Sequence, residues 1–503
     1  MRWGAAESFQ PRGMLVFLSA VAAASLPLVL FDMAEGDTLG RTLFILLNVV
    51  LIGIITWEIR RVFRHSRRMA LVQPPVLASI MLFGKDYILP NIPSVFGVEN
   101  PVAARFIAWK GDYLFWLNLS LLGVLIAVFC MWRGYNAGTG IRLAGVIQRF
   151  LLRRNLVSAS LNPNMPVVVA LFALSVLAVL IQIRLGIFGY SSDLERLQQT
   201  RDVAAWLTLM NQAGSLAFLV LSLAVFSKGR RKGLGLWLFF VVVLLWQLAT
   251  GFLGGFKSQV VMPIIILGVA YYMARGRVSF TLIALSFVML VAAFQTIEPF
   301  RRARYLDPSF DSSSVSSIVG TFWSAATGEL TYAHRGAPTT VGEIAARTDL
   351  ITFTAVSIDY AHRHDELDEH APRFVTDLFL IPFNAFIPRF IWQGKTVVND
   401  GWWFTAVVLG RGIDTRSATA MGPVSYFYFG GGYAMIALGF FVIGVLQRIA
   451  FSAFTPLGLG GWVIFLGTLP ILALVPSNVA AALTGLLRML PFLVVGQLWV
   501  IKR

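Results

Sequence analysis

The chain has 503 residues, of which 57% are hydrophobic and only 13% charged, about half the charged fraction of a soluble domain. One membrane-spanning helix uses about 20 mostly apolar residues, so the composition supplies around a dozen spans with ample loop to spare, and an ordinary soluble enzyme is excluded. A coiled coil, a collagen, a disordered chain and a disulfide scaffold are excluded too, because there is no heptad seam, no low-complexity tract and only one cysteine, Cys130.

The net charge is +16, from 41 Lys+Arg against 25 Asp+Glu. In a soluble protein this would suggest nucleic acid; in a membrane protein the distribution of Lys and Arg matters more, since cytoplasmic loops collect them. Met14 to Phe31 follows Arg2 and Arg12 and precedes Asp32, Glu35 and Asp37, which predicts an uncleaved helix running from inside to outside. Thr42 to Trp57 returns to Arg60, Arg61, Arg64, Arg67 and Arg68. Pro75 to Pro90 is a weak third span, interrupted by Gly84, Lys85 and Asp86. Tyr113 to Trp132 leads back to the basic loop around Arg142 and Arg149, Pro166 to Ile183 leads out, and Ala205 to Phe226 returns to Lys228, Arg230, Arg231 and Lys232. Leu234 to Phe252, Val260 to Ala274 and Phe280 to Gln295 bring the count to nine.

After a long segment, Gly422 to Leu446, Trp462 to Val475 and Ala480 to Val500 close the chain near Lys502 and Arg503. The expectation is an all-α polytopic membrane protein of about 12 transmembrane helices with both termini inside. It has three parts: an N-terminal bundle over 1–297, a large, mostly helical outer loop over 298–421, and C-terminal helices over 422–503.

In this topology the acidic residues fall outside, apart from Glu7 and Glu58, and about half of the basic ones do as well. The inner positives follow from topology alone, whereas the outer ones sit mostly in the large loop. That loop mixes Trp, Phe and Pro with charge and has no Gly/Ser repeats, so it should fold. Ser313 to Leu330 and Val375 to Trp392 are apolar enough to touch the bilayer. Asp377, Pro382 and Pro388 make the second an interfacial or re-entrant helix rather than a span.

Within the loop lie His334, His362, His364 and His370. His362 and His364 beside Asp359 and Asp365 have a spacing that suits zinc on a strand, but the surrounding sequence is helical in character, and a solvated charged helix is the better reading. Basic residues recur at the membrane-proximal edges: Lys257, then Arg301, Arg302 and Arg304, then Arg389 and Lys395. Cations at that depth either snorkel or meet an anion, and an arginine fork suits phosphate oxygens.

Three segments resemble the Wzy-type O-antigen and exopolysaccharide polymerases, also called oligosaccharide repeat unit polymerases. The first is TGFLGGFKSQVVMPIIILGVAYYMARGR, from Thr250 to Arg277, similar to the family's short outer turn with a basic residue entering an apolar helix, with Lys257 where Arg is more usual. The second is NAFIPRFIWQGKTVVNDGWWF, from Asn384 to Phe404, which resembles the family's Ile-Pro-Arg, aromatic, Lys pattern and puts Arg389 and Lys395 on its basic positions. The third, Ala418 to Arg448, resembles its Gly-Pro, aromatic, Phe-Gly stretch through Gly422, Pro423, Phe429, Gly430 and Gly432. Arg347 and Asp349 match more loosely.

The resemblance implies a GT-C-like fold in a bacterial inner membrane. It implies transfer of an undecaprenyl-pyrophosphate-linked oligosaccharide onto the next lipid-linked repeat at the periplasmic face. Such chemistry needs stabilisation of the leaving pyrophosphate and, usually, a base for the acceptor hydroxyl. Lys257, Arg301, Arg302, Arg389 and Lys395 are the candidate pyrophosphate-binding residues, and no metal or other cofactor is required. Asp359, His362, Asp365 and Asp400 are the candidate bases; one suffices for inversion, whereas double displacement wants a second carboxylate. Trp392, Trp402, Trp403 and Tyr426 are candidates for stacking on sugar rings, a role that competes with the ordinary enrichment of aromatics at membrane interfaces. The candidate partners are membrane lipid, a chain-length regulator and a flippase, and nucleic acid is not among them. An O-antigen ligase and a glycolipid transporter are the rival readings.

Overall fold

The computed structural model describes residues 37–65, 69–92, 113–158, 162–189, 200–227, 233–307, 310–330, 349–364, 366–367, 370–387, 391–392, 400–413, 415 and 418–501. The described residues are helical, and their only pairing of β type is an isolated bridge between Pro163 and Ile501. Nine stretches among them are long and apolar enough to cross a membrane, and one of these, Pro423–Leu474, holds two helices. The chain is thus a multi-pass helical membrane protein. Its exposed side chains agree, because Val49, Ile52, Leu238, Leu245, Phe287 and Val288 lie on outer faces of spanning helices, where hydrocarbon rather than water is the matching solvent.

In chain order the helices are α1 (Asp37–His65), α2 (Pro74–Ala78), α3 (Tyr113–Asn136), α4 (Gly138–Arg153), α5 (Met165–Arg184), α6 (Arg201–Phe226), α7 (Leu234–Gly254), α8 (Lys257–Arg275) and α9 (Phe280–Leu306). They continue with α10 (Val315–Ala326), α11 (Leu350–Arg363), α12 (Phe374–Phe379), α13 (Ile381–Phe386), α14 (Asp400–Trp403), α15 (Pro423–Phe454), α16 (Gly458–Leu474) and α17 (Val479–Val500). Ten of the twelve expected spans have their helix. The first, Met14 to Phe31, lies outside the described residues. The third differs: Pro74 and Pro75 open only the five-residue α2, and Ser79–Ile88 continues as a π-helix in which Lys85 pairs with Asp86. Two prolines and an ion pair break the segment into short pieces, so that it is not one continuous apolar α-helix.

The chain forms two compact units. One comprises Met1–Ile147, Ala345–Ala453 and Ile471–Arg488; the other Gln148–Ile344, Phe454–Pro470 and Met489–Arg503. In the first, α3 and α15 cross with their backbones touching. A Cβ added at Gly444 would collide with the Met131 carbonyl, and one added at Gly134 with that of Phe441; small residues are what allow such an approach in lipid. Helix α11 packs on α3, with Asp349 as its N-cap accepting from the Thr352 N–H at 2.8 Å and the Thr352 hydroxyl at 2.7 Å. Helix α15 is broken, since Gly431 and Gly432 have φ of 154° and 62°, values open to glycine and strained for other residues. A short half, Pro423 to Gly430, therefore precedes the long one.

In the second unit α5 and α6 pair closely. The Ser175 hydroxyl donates to Asn211 Oδ1 at 2.7 Å, and Gly214 leaves the room Ser175 needs. Helix α7 ends at Gly255, which is left-handed with φ 73°, so that α8 folds straight back. Helix α9 then runs through Pro299 into the loop, and α10 packs on it.

Candidate site in the first unit

Asp400 begins α14, a four-residue helix that passes directly into a second π-helix, Phe404–Val408. A strap from the following loop fixes this turn. The Trp402 indole donates to the Thr415 carbonyl at 3.0 Å, the Thr419 N–H donates to the Thr405 hydroxyl at 2.7 Å, and that hydroxyl donates to the Gly401 carbonyl at 2.8 Å. Asp400 is 2% exposed, and neither of its carboxylate oxygens accepts a hydrogen bond from another described residue. Burial pushes its carboxyl up from the ordinary 3.8 to about 7, and the charge of Asp377 on α12, itself buried, adds to the rise.

Aromatic rings wall this turn. Trp403 is fully buried, with ring centroids 5.7 Å from Phe374, 5.1 Å from Phe429 and 6.1 Å from Tyr360. Phe374 stacks on Phe429 at 5.4 Å and meets Tyr426 edge-on at 5.1 Å, while the Tyr426 hydroxyl donates to the Phe374 carbonyl at 3.1 Å. The Trp403 indole N–H is buried without an acceptor among the described residues. One helical turn thus carries, three residues apart, an acceptor and a donor without partners among the described residues, an unusual state for buried polar groups. A hydroxyl group can satisfy both kinds of partner.

The other candidate bases are placed differently. Asp359 on α11 is buried and bound by the Arg363 guanidinium at 2.8 Å. His362 faces the Trp116 ring at 5.9 Å, and His364 stacks on Tyr360 at 4.2 Å with Nδ1 2.9 Å from that residue's carbonyl. Asp365 lies outside the described residues. No group of three His, Cys, Asp or Glu side chains among the described residues is arranged to hold a metal ion. His370 meets Trp402 edge-on at 6.5 Å, and Trp392 is half-buried.

Of the candidate pyrophosphate residues, Arg389 and Lys395 lie outside the described residues. In the second unit Lys257 pairs with Glu298 at 3.3 Å, Arg301 donates from Nε to the Gly255 carbonyl at 2.6 Å, and Arg302 is half-buried on α9. The neighbouring Arg304 is buried and donates to the Phe188 carbonyl at 3.0 Å. Glu298 and Arg301 together clasp the turn between α7 and α8. Cations at C-terminal carbonyls satisfy the acceptors that a helix leaves open.

Asp377 was readable in the sequence only as a charge that argues against a span, and its convergence on Asp400 has no local signal. Arg488 is the second residue outside the expected site, and in the first unit it reaches the end of α13. No family model matches the chain, and no curated protein and no solved structure is found to be similar to it.

Proposed function

We propose that the chain is a glycosyltransferase of GT-C type that polymerises lipid-linked oligosaccharide repeats at the periplasmic membrane face, with Asp400 as the base for the acceptor hydroxyl. The observation that carries the reading is Asp400 itself: a buried carboxylate that accepts from no other described residue, with its pKa pushed up to about 7, is suited to take a proton at neutral pH. The multi-pass architecture and the segment resemblance from Asn384 to Phe404 support it. In this mechanism the acceptor hydroxyl donates to Asp400 and attacks the anomeric carbon, and the carbon–oxygen bond to the pyrophosphate breaks. The leaving anion is offset by the outer-face cations, with Arg389 and Lys395 the foremost candidates on the resemblance. Asp377 contributes by raising the proton affinity of Asp400.

The test is a deletion strain complemented with wild type or Asp400→Asn, with surface and lipid-linked glycan separated on gels. The expected result is loss of the polymer ladder with single repeats still reaching the surface. A full ladder in the variant overturns the role of Asp400. A carboxylate titrating near neutrality is also what a proton-coupled glycolipid carrier uses, and in that case single repeats accumulate unexported. Polymer retained on the lipid carrier instead identifies a ligase.

A further inference from the structure

Arg488 lies near the middle of α17, a 22-residue helix apolar enough to span a membrane. Its guanidinium donates from Nε to the Ala385 carbonyl at 3.0 Å and from Nη2 to the Asn384 carbonyl at 2.5 Å. No carboxylate among the described residues pairs with it. Both acceptors belong to the last turn of α13, where a helix has no internal donor for its carbonyls. Around them, Phe379, Phe383 and Phe386 turn their rings outward, at 76%, 54% and 60% exposure.

These observations separate two placements for α12 and α13. If the pair lay on the membrane surface, the carbonyls of Asn384 and Ala385 would sit at headgroup level. The middle of a spanning helix is about 15 Å below that level, roughly ten residues of rise, and one side chain does not bridge that distance while keeping two hydrogen bonds to a neighbouring backbone. If the pair instead dips into the bilayer, everything is matched. The phenyl rings meet hydrocarbon, the open carbonyls receive donors where water is absent, and the intramembrane cation has acceptors.

We propose that α12 and α13 form a re-entrant segment inserted into the bilayer, and that Arg488 is the positioning residue that fixes its depth and thereby holds Asp377 and Phe374 against the turn of Asp400. The insertion stands independently of the polymerase reading; only the effect of Arg488 on turnover rests on it. Because Cys130 is the sole cysteine, Cys130→Ser gives a background for single labels. The full chain is reconstituted in nanodiscs of phosphatidylethanolamine and phosphatidylglycerol, with a nitroxide on Phe383→Cys and, as a mid-span reference, on Leu245→Cys.

Oxygen accessibility at Phe383→Cys should exceed that to a water-soluble nickel chelate, as at Leu245→Cys; chelate-dominated relaxation overturns the insertion. Adding Arg488→Gln should shift the label toward the chelate, and Arg488→Lys, which keeps the charge but not the fork, should shift it less. No shift in either variant overturns the role of Arg488, and the lysine variant decides if the glutamine one does not fold. In polymerisation assays, Arg488→Lys should lower kcat several-fold at unchanged KM for the lipid-linked repeat, whereas a fall in folded protein alone lowers both variants' yield without altering label depth. If label depth behaves as stated while Asp400→Asn accumulates unexported single repeats, the insertion holds and the polymerase reading falls.

Discussion

Asp400 carries its charge at a cost that the rest of the first unit must offset. Its folded pKa is raised from 3.8 to about 7, so the folded chain holds a proton that the unfolded chain releases. Stability from this group is therefore present at low pH and is lost as pH rises between about 4 and 7, by about 4 kcal/mol on the size of the shift. Replacing it with Asn removes that loss. Asp400→Asn should melt at a higher temperature than wild type at pH 8, with the gap narrowing steadily as pH falls toward 4, measured by thermal unfolding in detergent. Activity has the opposite sign: wild-type polymerisation should rise through about pH 7 as the carboxylate loses its proton. A rate independent of pH from 6 to 8 contradicts a base at this position.

Residue identity placed Asp400 only among four candidate bases of the large loop, with Asp359, His362 and Asp365. It could not separate Asp400 from Asp359, whose difference lies in Arg363 one helical turn on. The outer cations are a second case. Lys257 and Arg301 drew attention as charges near the membrane edge, and the structure shows them engaged with Glu298 and the Gly255 carbonyl. Those partners lie on another helix, and no local pattern in the sequence announces them.

At the scale of elements, the spans were legible because hydropathy is a property of a whole segment and survives any tertiary arrangement. The crossing of α3 and α15 was not, since Gly134 and Gly444 become a contact only through packing. Gly444→Val should force the two backbones apart and repack the facing residues, which in well-packed interiors costs typically 1–3 kcal/mol and more against backbone. A drop in melting temperature in detergent checks this, and Gly145→Ala, in the interior of α4 where an added Cβ meets nothing, should hold it or raise it slightly. The weak third span shows the converse. The sequence displayed its interruption at Gly84, Lys85 and Asp86, but the π-helical form it takes depends on the helices around it.

For the whole molecule, the charge distribution predicts a topology that reporters can read, with the interrupted segment from Pro75 to Pro90 crossing in its broken form. Green fluorescent protein fused after Ser227 should fluoresce and alkaline phosphatase there should be inactive, whereas phosphatase fused after Glu329 should be active. Because α12 and α13 turn back rather than cross, fusions after Phe454 should report the cytoplasm; a periplasmic signal there would mean that the segment spans.

The break at Gly431 and Gly432 divides α15 into parts that need not melt together. Helical cooperativity is carried by consecutive hydrogen bonds, and two residues with non-helical angles interrupt that chain. Tyr426 and Phe429, which wall the Asp400 turn, belong to the eight-residue part, while the contact with α3 at Gly444 belongs to the long one. The wall of the Asp400 turn can therefore fray separately from the long half of the helix. It can loosen while the crossing of α3 and α15 stays shut, so the two halves of a single helix are governed by separate free energies.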